Sequence, residues 1–265
     1  MIDHPTPYPD INALLNELFE SIQSILKAHF IGMYLDGSLA SGGFDQDSDV
    51  DFLVVCDIDI SGDLFSELQA MHDRIARIDS PWAIQLEGTY ISLAGLRRFD
   101  PAHALHPNIE RGEGERLKMV QLNQTWNVHR YILRERGITL AGPVPKTLVD
   151  PVLPAQLEQA MLLNLSGWAE HLLEDPAQMK FRGYQSYIVL SLCRILYTLQ
   201  NHDVVSKASA ADWAMKMLGE RWIPLFESAL DGRQHSNRDA SPGEVAGTLD
   251  FIRYAVDYGI GWLPK

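Results

Sequence analysis

Residues 36–53 read DGSLASGGFDQDSDVDFL, with the apolar run Ile31 to Leu35 before them and Val50 to Cys56 closing the stretch. Two short apolar runs around Gly, Ser and Asp predict strand, small-residue loop, strand. Asp49 and Asp51 stand one residue apart where the second strand begins. Side chains at i and i+2 leave the same face of a strand roughly 7 Å apart at the backbone, so both carboxylates can converge on one hard cation while Val50 and Phe52 face the core. Carboxylates so placed repel until a cation neutralises them, and Mg²⁺ prefers one or two carboxylates, several waters and substrate phosphate oxygens. Gly37 lets the backbone approach a ligand closely, and Ser38 and Ser48 offer hydroxyl and N–H donors to phosphate oxygens. The plain alternative is a solvated acidic turn ahead of an ordinary strand. Other motifs fail on spacing. Asp45, Asp47, Asp49 and Asp51 imitate a calcium loop, but its turn glycine would fall on Val50 and its bidentate glutamate on Cys56. There is no Gly-x-x-x-x-Gly-Lys, no Gly-x-Gly-x-x-Gly after a strand, and no Gly-x-Ser-x-Gly around Ser38.

Working outward, Ile11 to Leu26 and Leu64 to Ile78 carry apolar residues at helical spacing, the second with Ser61 or Asp63 placed to cap it. Ala83 to Ile91 alternates as a strand, with Gln85, Glu87 and Thr89 on one face and Ile84 and Leu86 on the other. After Pro101 and Pro107, where His103 and His106 read as loop residues, the pattern predicts a helix from Glu113 to Arg136 with Gly137 as its cap, and no further strand. Pro143, Pro145, Pro151 and Pro154 mark Ala141 to Pro154 as a linker. Helices follow near Ala155 to Leu173, Tyr184 to Gln200, Ala208 to Leu218 and Gly243 to Trp262. The expected organisation is a domain at 1–150 with a small mixed sheet flanked by helices, then an all-helical domain at 151–265.

Of 265 residues, 46% are hydrophobic, enough for real cores, which excludes a disordered chain. Lys and Arg number 22 against 35 Asp and Glu, a formal charge of −13 that repels nucleic acid and anionic membranes. No apolar run reaches the roughly 18 residues of a membrane span, and the opening MIDHPTPYPD has neither the basic nor the apolar part of a signal peptide. Cys56 and Cys193 fall inside apolar runs as small buried hydrophobes. A cytoplasmic monomer is expected, without nucleic-acid or membrane partners.

The motif Gly37, Ser38, Ala40, Gly42, then Ser48, Asp49, Asp51 and Phe52, resembles the signature of the nucleotidyltransferase superfamily related to DNA polymerase β. The segments LRERGITLAGP (133–143), CRILYTL (193–199) and VSKASAADWAMK (205–216) are similar to the helical second domain of the aminoglycoside adenylyltransferases that modify streptomycin and spectinomycin. That resemblance implies a third carboxylate, Glu87, as general base, taking the proton of a substrate hydroxyl as it attacks the α-phosphorus of ATP. It implies one or two Mg²⁺ on Asp49 and Asp51, with Glu87 beside them, bridging phosphate oxygens. It also implies that Arg194 and Lys207 reach ATP from the second domain across a cleft. Without the resemblance, Arg194 would be a snorkelling or paired charge in an apolar helix, and Lys207 an exposed loop charge.

The chain departs from the streptomycin-modifying pattern at two places. Tyr184 takes the position of an acidic residue that faces the cationic drug, and no Trp occurs between Trp82 and Trp126. A charge-assisted contact of that kind is often worth about 1.5–3 kcal/mol, so the departure bears on the acceptor rather than on the nucleotide. Glu110, Glu113, Glu170, Glu174 and Asp175 are the carboxylates that would replace it. The expected function is AMP transfer from ATP to a hydroxyl of a small cationic acceptor; a nucleotide-binding regulatory protein, or transfer to a protein, is the alternative.

Overall fold

The apolar runs on either side of the small-residue stretch are strands, β1 (Phe30–Leu35) and β2 (Val50–Cys56), paired antiparallel. The computed structural model describes residues 4–46 and 48–261; Asp47 and Trp262 lie outside the described residues, as does the side chain of Trp168. The chain divides into two units, Met1–Val152 and Leu153–Lys265.

In the first unit, α1 (Pro9–Leu26) precedes β1, and α2 (Gly37–Ser41) follows it. Thus the first part of the expected loop is a helical turn, ended by Gly42 in a left-handed conformation. After β2 comes α3 (Gly62–Ile75), whose N-cap Ser61 makes no side-chain capping bond, and then β3 (Leu86–Ser92). Residues 83–85 form a 3₁₀ turn, so Gln85 is outside the strand expected from Ala83. The connection through α3 makes β2 and β3 parallel, as a crossover of this length permits.

Beyond β3 the expectation of no further strand is overturned. α4 (Leu93–Arg97) leads to β4 (Leu105–Ile109) and β5 (Lys118–Gln121), then to α5 (Asn127–Arg136), β6 (Ile138–Ala141) and α6 (Pro145–Leu148). The sheet has the order β5-β4-β3-β2-β1-β6, antiparallel throughout except at β2–β3. The helix expected over Glu113 to Arg136 begins only at Asn127. The β3–β4 ladder holds two residue pairs and stops beside Pro107, which has no N–H to extend it. His106 is in this strand, not in a loop; it is buried, and burial lowers its pKa to about 4. Gly137 follows the helix as expected, with its N–H donating to the Leu133 carbonyl, but its φ of −54° is not left-handed. The proline-rich stretch is part of the packed unit: Pro145, Leu148 and Val149 are buried.

Alternation along the central strands divides the core. Val50, Phe52, Val54 and Cys56 join Tyr90 beneath α1 and α3, whereas Leu53 and Val55 join Tyr34, Ile91, Leu96, Leu133 and Leu148 on the face covered by α4, α5 and α6. Gly88, opposite Phe52 in the parallel register, leaves room for the Phe52 ring, which a Cβ at that position would overlap.

The second unit is helical: α7 (Pro154–Glu174), α8 (Arg182–Asn201), α9 (Lys207–Met217), α10 (Ile223–Gln234) and α11 (Pro242–Ile260). The sequence pattern missed α10, which carries Pro224 and Gly232; a proline in the first turn removes an N–H that has no helical acceptor there. α8 is the core helix, burying Ile188, Leu190, Leu192, Cys193, Leu196 and Leu199. Buried Arg182 ties three helices together: it donates to Ser228 Oγ at 2.7 Å and to the Ser228 carbonyl at 2.7 Å, and pairs with Glu244, which belongs to the capping box that begins α11.

Substitution Gly88→Ala forces the Phe52 ring or the β3 backbone to shift. Overpacking of this kind costs about 1–3 kcal/mol, so the variant should show a lower urea midpoint at an unchanged m-value.

Candidate active site

Three carboxylates meet at the start of β2. The parallel register sets Asp51 directly opposite Glu87, and Asp49 lies two residues earlier. One oxygen from each of Asp49, Asp51 and Glu87 lies within 4.8 Å of the others. Asp51 and Glu87 share strand parity with Leu53 and Ile91, so the cluster forms on the face covered by α4, α5 and α6.

The turn after β1 closes over this cluster. Gly37, at φ +55°, begins α2 in a conformation that favours glycine, and a Cβ there would fall on the Asp51 carboxylate. The close approach brings the Ser38 N–H to 3.4 Å from Asp51 Oδ2. The Ser38 hydroxyl is buried with no hydrogen-bond partner, a condition that costs free energy until a ligand atom supplies one. Ser48 is buried too, and its hydroxyl accepts from the Asp45 N–H at 3.0 Å and donates to Asp45 Oδ1 at 2.8 Å, holding the loop shape before Asp49.

The cluster gathers negative charge that burial leaves poorly solvated. Burial, then the charges of Asp36, Glu87 and Asp49, hold the Asp51 carboxyl well above the usual carboxylate range, with the Ser38 N–H working the other way. Burial and the charge of Asp49 raise Glu87 also, opposed by His129 and Arg111. An all-oxygen set of two or three carboxylates beside an unpartnered hydroxyl fits Mg²⁺.

Three neighbours escaped the sequence reading. Asp36 continues β1, where the antiparallel pairing of Leu35 with Phe52 carries it next to Asp51; its N–H donates to the Asp51 carbonyl at 3.4 Å. That register was the available signal. His129, on the first turn of α5, places Nδ1 3.6 Å from Asp36 Oδ2 and stacks on Trp126 at 5.5 Å. Arg111, after β4, pairs with Asp49. No sequence spacing announces His129 or Arg111, since both depend on elements that the pattern did not reveal.

The remaining expected residues belong to the helical unit. Arg194 is half-buried on α8. Lys207 opens α9 with its Nζ 4.3 Å from the Tyr187 ring centroid, and Tyr184 stacks on Tyr187 at 6.1 Å.

The sheet of the first unit bears an acidic triad beside a Gly-Ser turn, and residues 147–257 match the family described as aminoglycoside adenylyltransferase, C-terminal domain. Similarity to aminoglycoside adenylyltransferases extends over most of the chain's length. The chain is 25% identical to a spectinomycin 9-adenylyltransferase of Campylobacter jejuni, over 82% of this chain and 83% of the relative. It is 24% identical to an aminoglycoside (3'') (9) adenylyltransferase of Escherichia coli, over 92% and 93%. In fold it is similar to the crystal structure of spectinomycin adenyltransferase AAD(9) from Enterococcus faecialis with ATP and spectinomycin, at a TM-score of 0.73 and 16% identity, covering 92% of this chain and 98% of that one.

The raised Asp51 has a consequence for stability. The folded state holds the Asp51 proton more tightly than the unfolded state does, so the penalty is absent below the ordinary carboxylate range and grows as pH rises toward the folded value. In EDTA, Asp51→Asn should melt above the wild type at pH 7.5, with the gap closing toward pH 4, as read by scanning fluorimetry; each kcal/mol moves the midpoint by about 2–4 °C in a protein of this size.

Proposed function

We propose that this protein transfers AMP from ATP, with Mg²⁺, to a hydroxyl of a small, cationic, aminoglycoside-type acceptor. The observation that carries the reading is the convergence of Asp49, Asp51 and Glu87 on two adjacent parallel strands beside an unpartnered serine hydroxyl. The names of the relatives, spectinomycin and aminoglycoside adenylyltransferases, support the acceptor class, and a net charge of −13 suits a cationic substrate.

Asp49 and Asp51, with Glu87 at the same centre, hold the metal; Mg²⁺ bound there supplies charge neutralisation at the phosphate oxygens and at departing pyrophosphate. Gly37 admits a phosphate close to the backbone, Ser38 donates its hydroxyl to a phosphate oxygen, and Ser48 fixes the loop from which Asp49 projects. Arg194 and Lys207 are the residues of the helical unit that the resemblance assigns to ATP. Glu87 accepts the proton of the acceptor hydroxyl as that oxygen bonds to the α-phosphorus and the bond to pyrophosphate breaks. A carboxylate raised by burial is closer to the basicity this step needs at neutral pH than an exposed one. Tyr184, stacked on Tyr187, presents an aromatic face where the streptomycin-modifying pattern has a carboxylate, so the acceptor's surroundings differ from that pattern.

Mass spectrometry of the protein with ATP, MgCl₂ and a panel including streptomycin and spectinomycin should show a drug product heavier by one AMP. Glu87→Gln should lower turnover by at least the 10²-fold typical of a lost general base and leave ATP affinity within about threefold. Expression in a sensitive bacterium should raise the inhibitory concentration of the modified drug only with Glu87 intact. AMP found on a protein instead would move the acceptor to another class, and full turnover by Glu87→Gln would remove Glu87 from the base role.

A further inference from the structure

Arg111 brings a permanent positive charge to the site. Its guanidinium pairs with Asp49 Oδ1, on a carboxylate that belongs to the acidic triad. Its charge also acts on Glu87, opposing the upward shift caused by burial and by Asp49. The residue is not built into the core. Its side chain is 48% exposed, and it lies between β4 and β5 just before Gly112 and Gly114, both at positive φ, +133° and +77°. The Gly112 N–H donates to the Ile84 carbonyl at 2.8 Å and anchors the turn next to β3, while the arginine side chain keeps several rotatable bonds.

We infer that Arg111 is an exchangeable counter-ion: it neutralises Asp49 while the metal site is empty, yields that carboxylate to the divalent ion, and then turns to the polyphosphate that the ion accompanies. The inference rests on the metal reading of Asp49, Asp51 and Glu87 given above. The argument is one of competition. A carboxylate oxygen held by a guanidinium is not fully available to a divalent cation, so free metal must displace the arginine and loses affinity by the strength of that pair. A metal–nucleotide complex meets a different balance, because its phosphates give the displaced guanidinium a bidentate partner within reach. The residue therefore disfavours metal alone and favours metal with nucleotide, which sets the order in which the site fills. It is a positioning and ordering residue, without contact to the transferred proton.

The test uses Mn²⁺ in place of Mg²⁺, with free ion read by electron paramagnetic resonance, on the full-length wild type, Arg111→Gln and Arg111→Lys. Without nucleotide, Arg111→Gln should bind Mn²⁺ about fivefold more tightly than the wild type, the upper range for an exposed pair, and Arg111→Lys should lie nearer the wild type. With a non-hydrolysable ATP analogue the order should reverse, the Gln variant binding the Mn²⁺–nucleotide complex more weakly. Equal or weaker binding of Mn²⁺ alone by Arg111→Gln, with a wild type that binds the ion, overturns the counter-ion role and leaves the metal site standing. Absence of Mn²⁺ binding in all three proteins, with nucleotide present, overturns both. A thermal melt of each variant separates these results from loss of fold, since an arginine this exposed should move the midpoint by no more than a few degrees.

Discussion

The constraint on which the first unit depends is the parallel register of β2 with β3, which places Asp51 and Glu87 side by side and leaves their charges to be balanced by something else. Like charges at this spacing oppose folding, a cost that a bound cation would offset. Features that look unrelated in the sequence answer to it. Gly37 lacks a side chain because the Asp51 carboxylate occupies the space. Gly88 lacks one because the Phe52 ring does, and Phe52 is the residue that fixes the inward side of β2 while Asp51 takes the outward side. Arg111 brings positive charge from the turn after β4, and His129 brings an imidazole from α5 to Asp36.

The helical unit solves a different electrostatic problem. Arg182 is 4% exposed, and an isolated buried guanidinium would be intolerable. Its bonds to Ser228 and Glu244 make the charge a joint between α8, α10 and α11, and Glu244 is itself held by the N-cap of α11. Removing Glu244 would leave the buried guanidinium with Ser228 and Asp231 alone to offset its charge, and such pairs hold an arrangement more than they add net stability. The apolar packing of α8 supplies the stability, and the aromatic group Trp222, Phe226, Phe251 and Tyr254 closes the end where α10 and α11 meet.

Much of this was legible in the sequence, for reasons that can be named. β1, β2, α1, α3, α7, α8, α9 and α11 have strong apolar periodicity, and the pair Asp49 and Asp51 declares itself by spacing alone. Glu87 needed the resemblance, because a single glutamate on a strand looks like surface until the partner strand is known. β4 and β5 stayed hidden because they lie toward the edge of the sheet, where one strand contains Pro107 and the other has Lys118, Met119 and Gln121 exposed, so neither carries the apolar signature of a central strand. Whatever those strands position was hidden with them, Arg111 above all. Asp36 was hidden differently: its place beside Asp51 is a matter of strand register, which one sequence does not display.

The crossover through α3 has a consequence for the unfolded chain as well. Asp51 and Glu87 belong to neighbouring strands but are separated along the chain by all of α3 and its flanking turns, so their pairing closes a long loop and carries its entropy cost. In the unfolded chain the two carboxylates are far apart and solvated, and it is the β2–β3 pairing that brings them together. The acidic centre is thus a product of tertiary pairing and not of any one segment, and a fragment that lacks either strand would not contain it.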